Sequence, residues 1–224
     1  MAGSIAPPPT AVLSSGHHLL EDQEIILPSV TVTSLHQTQI PALTCAPSSF
    51  LPREFRDAMG KFATGVVVVS SEFEGHTHAM TANAFMSGSL EPPLVLVSVA
   101  RSARMHKEIQ RSGAFGISVL SESQQMCSNH FAGKPSPEFQ PAFDRLHGVP
   151  VVLDADVCIA TELRHSYACG DHTLFVGEVL GLHAKADLTR PLLFFGGRYS
   201  KLGQSDLSSE SFPAGFWAGN ELGW

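Results

Sequence analysis

The stretch PPLVLVSVA, residues 92–100, limits the possible folds more than any other part of this chain. Its apolar residues run almost without interruption, the pattern of a strand buried on both faces, so the fold must supply a packing layer on each side of it. The run ends at Arg101. Ser102 then reads as the N-cap of a helix over residues 103–111, with Ser112 and Gly113 as its stop signal.

The segment before it, AMTANAFMS (residues 79–87), reads as a second strand. Alternation would put Thr81, Asn83 and Phe85 on one face and Ala82, Ala84 and Met86 on the other. Short side chains let a planar molecule approach the backbone, and Thr81, Asn83 and Ser87 carry donors or acceptors for a polar ring edge. The helix start after residue 101 has unpaired N–H groups and partial positive charge, to which Arg101 and Arg104 add full charges. A wall of small residues beside a cationic helix start suits a flat ring system with a phosphate tail, and a flavin has that chemistry. Taken singly, the two segments fit equally an edge strand facing water and a capped helix with two solvated arginines.

The flanking chain supplies more strands than helices. Phe55, Ala58, Met59 and Phe62 share a helical face, in a helix that Pro52 can start and Gly65 can end. Residues 66–69 form an apolar strand, and the polar turn over 72–78 leads back as a hairpin. Residues 114–120 read as a strand, and Ser121 with Gln124 as a capping box opening a helix to about His130, closed by Phe131, Ala132 and Gly133. The loop KPSPEFQPAF follows, either a lid or a surface connection. A long strand over 151–165, the turn YACGDHT, a strand over 174–179 and a last short strand over 191–195 complete the domain, with Gly196, Gly197, Arg198 and Tyr199 breaking the last strand. Short strands with inserted helices argue for a mainly β fold, a closed or partly closed antiparallel barrel with flanking helices, and against a doubly wound parallel sheet.

The chain has 224 residues, enough for one sizeable domain, expected over 49–203. Residues 1–48, rich in Pro, Ser, Thr and Ala, read as a partly disordered extension whose segment 25–32 packs on the domain or a second subunit; residues 204–224 read as a tail, with Phe216, Trp217 and Trp224 available to pack across a dimer. The net charge of −7 argues against a nucleic-acid partner. No apolar run approaches the roughly 20 residues of a membrane-spanning helix. Cys45, Cys127, Cys158 and Cys169 show no CxxC spacing, and with no secretory leader in view a reducing cytoplasm is expected. His17 with His18, and His76 with His78, read as exposed histidines, and no metal site is expected. Glycine-rich phosphate loops, nucleophile elbows and HExxH are missing from the sequence, so a nicotinamide would bind without a Rossmann domain.

Five blocks in fixed order, FRDAMGKFATGVVVVSS, AMTANAF with SGSLEPPLVLVSV, FAG, CGDHTLFVGEV and PLLFFGGRYSKL, together resemble the flavin reductase-like family of FMN-binding split barrels, the reductase components of two-component flavin monooxygenases. The resemblance covers roughly residues 50–203. It implies an antiparallel, Greek-key type split barrel with flanking helices, a homodimer that binds FMN or FAD, takes hydride from NADH or NADPH, and passes reduced flavin to a partner monooxygenase. Carried over by position, Thr81, Ala82, Asn83 and Ala84 would line the flavin ring with Ser87 close by, while Ser98, Ala100, Arg101, Ser102 and Arg104 would form the phosphate loop. That loop commonly reads Asn-Arg-Ser-Ser followed two residues later by Thr. Ala100, Ala103 and Met105 stand at three of those positions, which implies fewer side-chain donors and altered phosphate binding. His172 would sit where the nicotinamide approaches, with Asp171 orienting it; Phe131 would lie beside the ring system, and Arg198 and Tyr199 near the flavin or a dimer contact.

Hydride transfer between two stacked rings is largely a matter of positioning, with the cofactors carrying the reaction. Donors aimed at the flavin N1 and C2 carbonyl would stabilise the negative charge that reduction places there; Thr81, Asn83 and the helix-start amides are the candidates. The leading reading is an NAD(P)H-dependent flavin reductase. A self-contained flavin-dependent oxidase or monooxygenase, and a non-enzymatic flavin or haem binder, remain the alternatives.

Overall fold

The computed structural model describes residues 49–187 and 189–203. The expectations for residues 1–48 and 204–224, including His17, His18, Cys45 and the two tryptophans, lie outside the described residues. In chain order, helix α1 (Pro52–Met59) precedes strands β1 (Thr64–Gly65), β2 (Val67–Phe73), β3 (His76–Ala82), β4 (Phe85–Leu90) and β5 (Pro93–Ala100). Helix α2 (Arg104–Ser112), β6 (Ala114–Val119), a 3-10 turn over Glu122–Gln124 and α3 (Gln125–Phe131) follow. The remainder is β7 (Phe143–Leu146), β8 (Val149–Val152), β9 (Val157–Cys169), β10 (His172–Ala184), β11 (Leu193–Phe195) and β12 (Arg198–Ser200).

Seven strands form one antiparallel sheet in the order β3-β2-β6-β9-β10-β5-β4. Its two edge strands, β3 and β4, are separated in sequence by Asn83 and Ala84 alone. That connection spans at most roughly 11 Å between Cα atoms, so the edges must converge and the sheet must curl into a barrel. The Ser98 N–H donates to the Ala84 carbonyl at 3.0 Å, tying the corner to β5. Among the described residues no ladder joins β3 to β4, and the barrel stays open along that seam. This is the antiparallel split barrel that the resemblance implied.

Burial on both faces organises the interior. Val67 and Val69 of β2 join Val95, Val97 and Val99 of β5, Phe115, Ile117, Ile159 and Phe175 in one core, against which α2 packs Met105 and Ile109. Val66 and Val68 turn the other way, toward Leu120, Cys127, Val151, Val152 and Leu192. The long β9–β10 hairpin carries two register shifts, one of them between Val176 and Gly177. Gly177 is required there: a Cβ on it would lie 2.6 Å from the Phe115 ring and 2.7 Å from Thr161.

Several elements depart from the sequence reading. Residues 79–87 are two strands rather than one, because the chain turns at Asn83–Ala84 to connect opposite edges of the sheet. Helix α1 ends at Met59, short of Gly65, and Gly60 closes it with its N–H on the Arg56 carbonyl at 2.9 Å. Thr64 and Gly65 are drawn instead into pairing with β11. No residue of α1 is buried, so its apolar face finds no core in this chain's described residues. Ser102 is not the cap of α2; Ala103 occupies the N-cap and offers no side-chain hydrogen bond. Gly113 does end the helix, in the left-handed conformation. The expected strand over 151–165 divides into β8, paired with β7, and β9, with a turn between them in which Asp154 takes φ +60°. Gly196 and Gly197 break β11 as expected, but Arg198 and Tyr199 belong to the returning strand β12. Gln124 accepts from the Ser121 N–H at 3.1 Å, as the capping box requires. No described helix is long and apolar enough to cross a membrane.

Candidate active site

A cleft of about 1220 Å³ opens beside the Asn83–Ala84 corner of the barrel. Asn83, Ala84, Phe85 and Met86 form one wall, Leu96 and Ser98 of β5 part of another, and Thr64, Gly65 and Phe194 of the small β1-β11-β12 sheet a third. Met59 and Phe62, 55% and 75% exposed, stand at its mouth. Apolar walls with a few convergent polar groups suit a planar ligand. The Thr64 hydroxyl in this lining is buried with no hydrogen-bond partner, as is that of Ser87, which does not itself line the cleft. A volume of this size, the small Ala84 and the polar Asn83 and Ser98 fit a tricyclic ring with a polar edge.

Asn83, Ala84 and Ser98 therefore line the cleft, while the neighbouring Thr81 and Ala82 do not. Because the chain turns after Ala82, the alternation that grouped Thr81 with Asn83 is interrupted. Thr81 donates its hydroxyl to the Ser128 carbonyl at 2.6 Å, and Ala82 packs on the core.

Two sequence-distant blocks meet at the end of β5. Ala100 pairs with His172 across the β5–β10 ladder, and the Arg101 N–H donates to the Asp171 carbonyl at 3.0 Å. The Arg101 guanidinium reaches the Gly170 carbonyl at 3.5 Å. Asp171 Oδ1 lies 2.8 Å from His172 Nδ1, and this hydrogen bond holds the Asp171 carboxyl below the usual carboxylate range. Ser102 is exposed at the same rim. Arg104 lies one turn into α2, where its Nε is 3.2 Å from Glu108 Oε1; Glu108 is 12% exposed against 65% for the arginine. His106 anchors α2 to β10 through Thr173 Oγ1 at 2.8 Å, and burial, reinforced by Arg101, pushes its imidazole below the ordinary histidine value. Burial and then Arg104 do the same to His78.

Phe131, Arg198 and Tyr199 do not line the cleft. Phe131 packs edge-on to His130 at 5.0 Å and against Phe143 at 5.7 Å. Tyr199 joins its hydroxyl to Ser128 Oγ at 2.7 Å and sets its ring against Phe194 at 5.8 Å. Arg198 is exposed on β12. Thr64 and Phe194 were not singled out from the sequence; both fall within the blocks that carry the resemblance, the one signal that pointed to them. Met59 and Phe62 belong to the helical face that periodicity identifies, but nothing in that pattern points to a cleft.

A smaller cavity of about 260 Å³ lies beside β7 and β8, near the end of β10, with Arg145, Cys158, His183 and Lys185 in its lining. Its cations already have partners: Arg145 forms an ion pair with Glu72, and Lys185 donates to the Asp154 carbonyl at 2.7 Å. Burial pushes the Cys158 thiol up, which leaves it a poor nucleophile. Among the described residues no group of three or more His, Cys, Asp or Glu side chains could hold a metal ion.

Comparison with known proteins agrees with this geometry. The family model described as "Flavin reductase like domain" matches residues 59–203. An NADH-dependent flavin reductase from a Rhodococcus species is 41% identical over 168 residues, covering 74% of this chain and 93% of that protein. The reductase component of 4-hydroxyphenylacetate 3-monooxygenase from Thermus thermophilus is 36% identical over 148 residues, covering 66% of this chain and 95% of that protein. Among solved structures, the flavin reductase PheA2 in its native state superposes with a TM-score of 0.66 at 45% identity, covering 69% of this chain and all of that one.

Proposed function

The chain belongs to the flavin reductase-like domain family, and from that premise we propose that it is an NADH-dependent flavin reductase that supplies reduced flavin to a separate monooxygenase. The observation that carries the reading is the joining of a ring-sized cleft, lined by Asn83, Ala84 and Ser98, to a rim where residues 98–102 meet the hairpin bearing Asp171 and His172.

When bound, the flavin supplies the hydride acceptor and the nicotinamide the donor. The chain's part is to bind and orient. Asn83 and Ser98 present hydrogen-bonding groups at the ring edge, and Ala84 admits the ring close to the backbone. Arg101, Ser102 and the first turn of α2 hold the phosphate; because Ala103 carries no capping hydroxyl, this grip relies on backbone N–H groups and charge. Asp171 accepts from the Nδ1–H of His172, which fixes the tautomer and leaves Nε2 as an acceptor for the nicotinamide carboxamide. Tight retention of flavin is not required of such a carrier, and the reduced number of side-chain donors suits release.

The apolar face of α1, with Phe55 and Met59 more than half exposed, together with Tyr167 and Leu182 on the β9–β10 hairpin, supports assembly as a homodimer. Cys127, Cys158 and Cys169 are free thiols, in keeping with a reducing cytoplasm.

The test is steady-state oxidation of NADH by the purified chain with FMN and with FAD, each repeated with NADPH, followed by filtration to learn whether reduced flavin leaves the protein. Flavin-dependent NADH oxidation with free reduced product is expected. A chain that neither binds flavin nor accelerates its reduction overturns the reading. Flavin retained through turnover indicates a self-contained flavoenzyme.

A further inference from the structure

Ser128 lies on α3, fully buried, and does not line the cleft. Two hydroxyls reach it from separate walls. Thr81 donates to its carbonyl at 2.6 Å, and its own hydroxyl meets the Tyr199 hydroxyl at 2.7 Å. Thr81 stands two residues before the cleft residue Asn83; Tyr199 is paired in register with the cleft residue Phe194 and packs against its ring. β3 and β12 belong to different sheets. The two walls are thus cross-linked through one point on a helix.

We propose that Ser128 is a positioning residue that fixes the width of the flavin cleft by holding the Asn83 wall and the Phe194 wall at a set separation. The proposal rests on the flavin reading above. Its energetic basis is the cost of a buried polar group without a partner: if the Phe194 wall moved away, the fully buried Ser128 Oγ would lose its hydrogen bond to Tyr199, and if the Asn83 wall moved away, the Thr81 hydroxyl would lose the Ser128 carbonyl. The link therefore resists opening and closing of the cleft. It also explains why Thr81 and Tyr199, residue types suited to touching a polar ligand, are turned away from it.

The experiment measures FMN dissociation constants by fluorescence quenching, with the visible circular dichroism of the bound flavin as a second readout. Ser128→Ala and Tyr199→Phe are each expected to weaken FMN binding about five- to tenfold, the consequence of one lost buried hydrogen bond, and to alter the flavin dichroism. The double variant is expected to be no weaker than either single one, because both remove the same bond. NADH KM stays unchanged. Thr81→Val weakens binding, and Thr81→Ser, which keeps the hydroxyl, restores it. Cys127→Ala, a truncation of the neighbouring buried residue on the same helix, lowers the melting temperature without changing FMN affinity. The proposal is overturned if both hydroxyl deletions bind FMN within twofold of the native chain, if their effects add, or if Cys127→Ala weakens binding equally. Failure of the native chain to bind any flavin refutes the underlying reading instead.

Discussion

Replacing Gly177 by Ala tests the packing of the barrel more directly than any truncation. The added Cβ would lie 2.6 Å from Phe115 Cζ and 2.7 Å from both Cβ and Oγ1 of Thr161, and both neighbours are fully buried. Neither can swing aside into solvent. Forcing a methyl into such a site costs roughly 1–3 kcal/mol. Thr161 also donates its hydroxyl to the Phe115 carbonyl at 2.7 Å, and displacing it loses about 1 kcal/mol more. Reduced freedom of the unfolded chain returns roughly 0.4–1 kcal/mol. The net loss is therefore roughly 1–3.6 kcal/mol, centred at about 2.3 kcal/mol, which at that centre is a fall in melting temperature of roughly 5–9 °C for a domain of this size. Gly88→Ala is the matched comparison. Its Cβ would come within 2.0 Å of Leu96 Cδ1, a closer approach on paper, but to the free end of a half-buried side chain that can change rotamer. About 1 kcal/mol or less is expected, and because Leu96 lines the cleft the change should appear in flavin KM rather than in stability. Thermal melts followed by circular dichroism, with urea midpoints as a check, measure both. If Gly88→Ala melts as low as Gly177→Ala, or if Gly177→Ala melts with the native chain, the reasoning from neighbour rigidity is refuted.

Three further outcomes are expected. His78 and His106 are both held below the ordinary histidine value of 6.5, so below that pH the unfolded chain binds more protons than the folded one; their contribution to stability is complete above it and declines as pH falls. Urea midpoints at pH 7.5 and 5.5 should show this decline, and His106→Gln should flatten it; an unchanged slope counts against the assignment. Burial pushes the Cys127 thiol up to about 11 and raises Cys158, whereas Cys169 is exposed. Iodoacetamide at pH 8, read by peptide mass spectrometry, should therefore modify Cys169 in the native protein and the two buried thiols only after unfolding. Ala103→Ser supplies the missing side-chain cap of α2 at a position already in the extended conformation a cap requires, and should raise the melting temperature by roughly 2–4 °C, the equivalent of about 1 kcal/mol.

The sequence made the barrel legible where burial is written into consecutive residues. Val95, Val97 and Val99 face one side of β5 and the intervening positions are still partly covered, so residues 92–100 allowed little but a central strand. The turn at Asn83–Ala84 was not legible, because those residues satisfy strand alternation as well as a corner does; what bends the chain is that β3 pairs with β2 and β4 with β5, in two hairpins that lie at opposite edges of the sheet. A similar limit applies to α1. Periodicity located its apolar face, but not that the described residues build no core for that face to join. Thr81 and Tyr199 show why hydroxyl-bearing residues are ambiguous: the chemistry that would bind a ligand serves equally to bind Ser128. The meeting of Ala100 with His172 depends on a long-range register that spacing does not encode; the family resemblance assigned the two residues separately, to the phosphate loop and to the nicotinamide approach.

The edges of β3 and β4, which have no outer ladder partner among the described residues, carry a liability. Zipping them together would add backbone hydrogen bonds but would also draw in the Asn83–Ala84 corner that lines the cleft, so greater stability there would come at the expense of room for the ring. Exposed strand edges also invite extension by a strand from another molecule. Association in concentrated solution should accordingly begin beside the cleft, and flavin ought to compete with it.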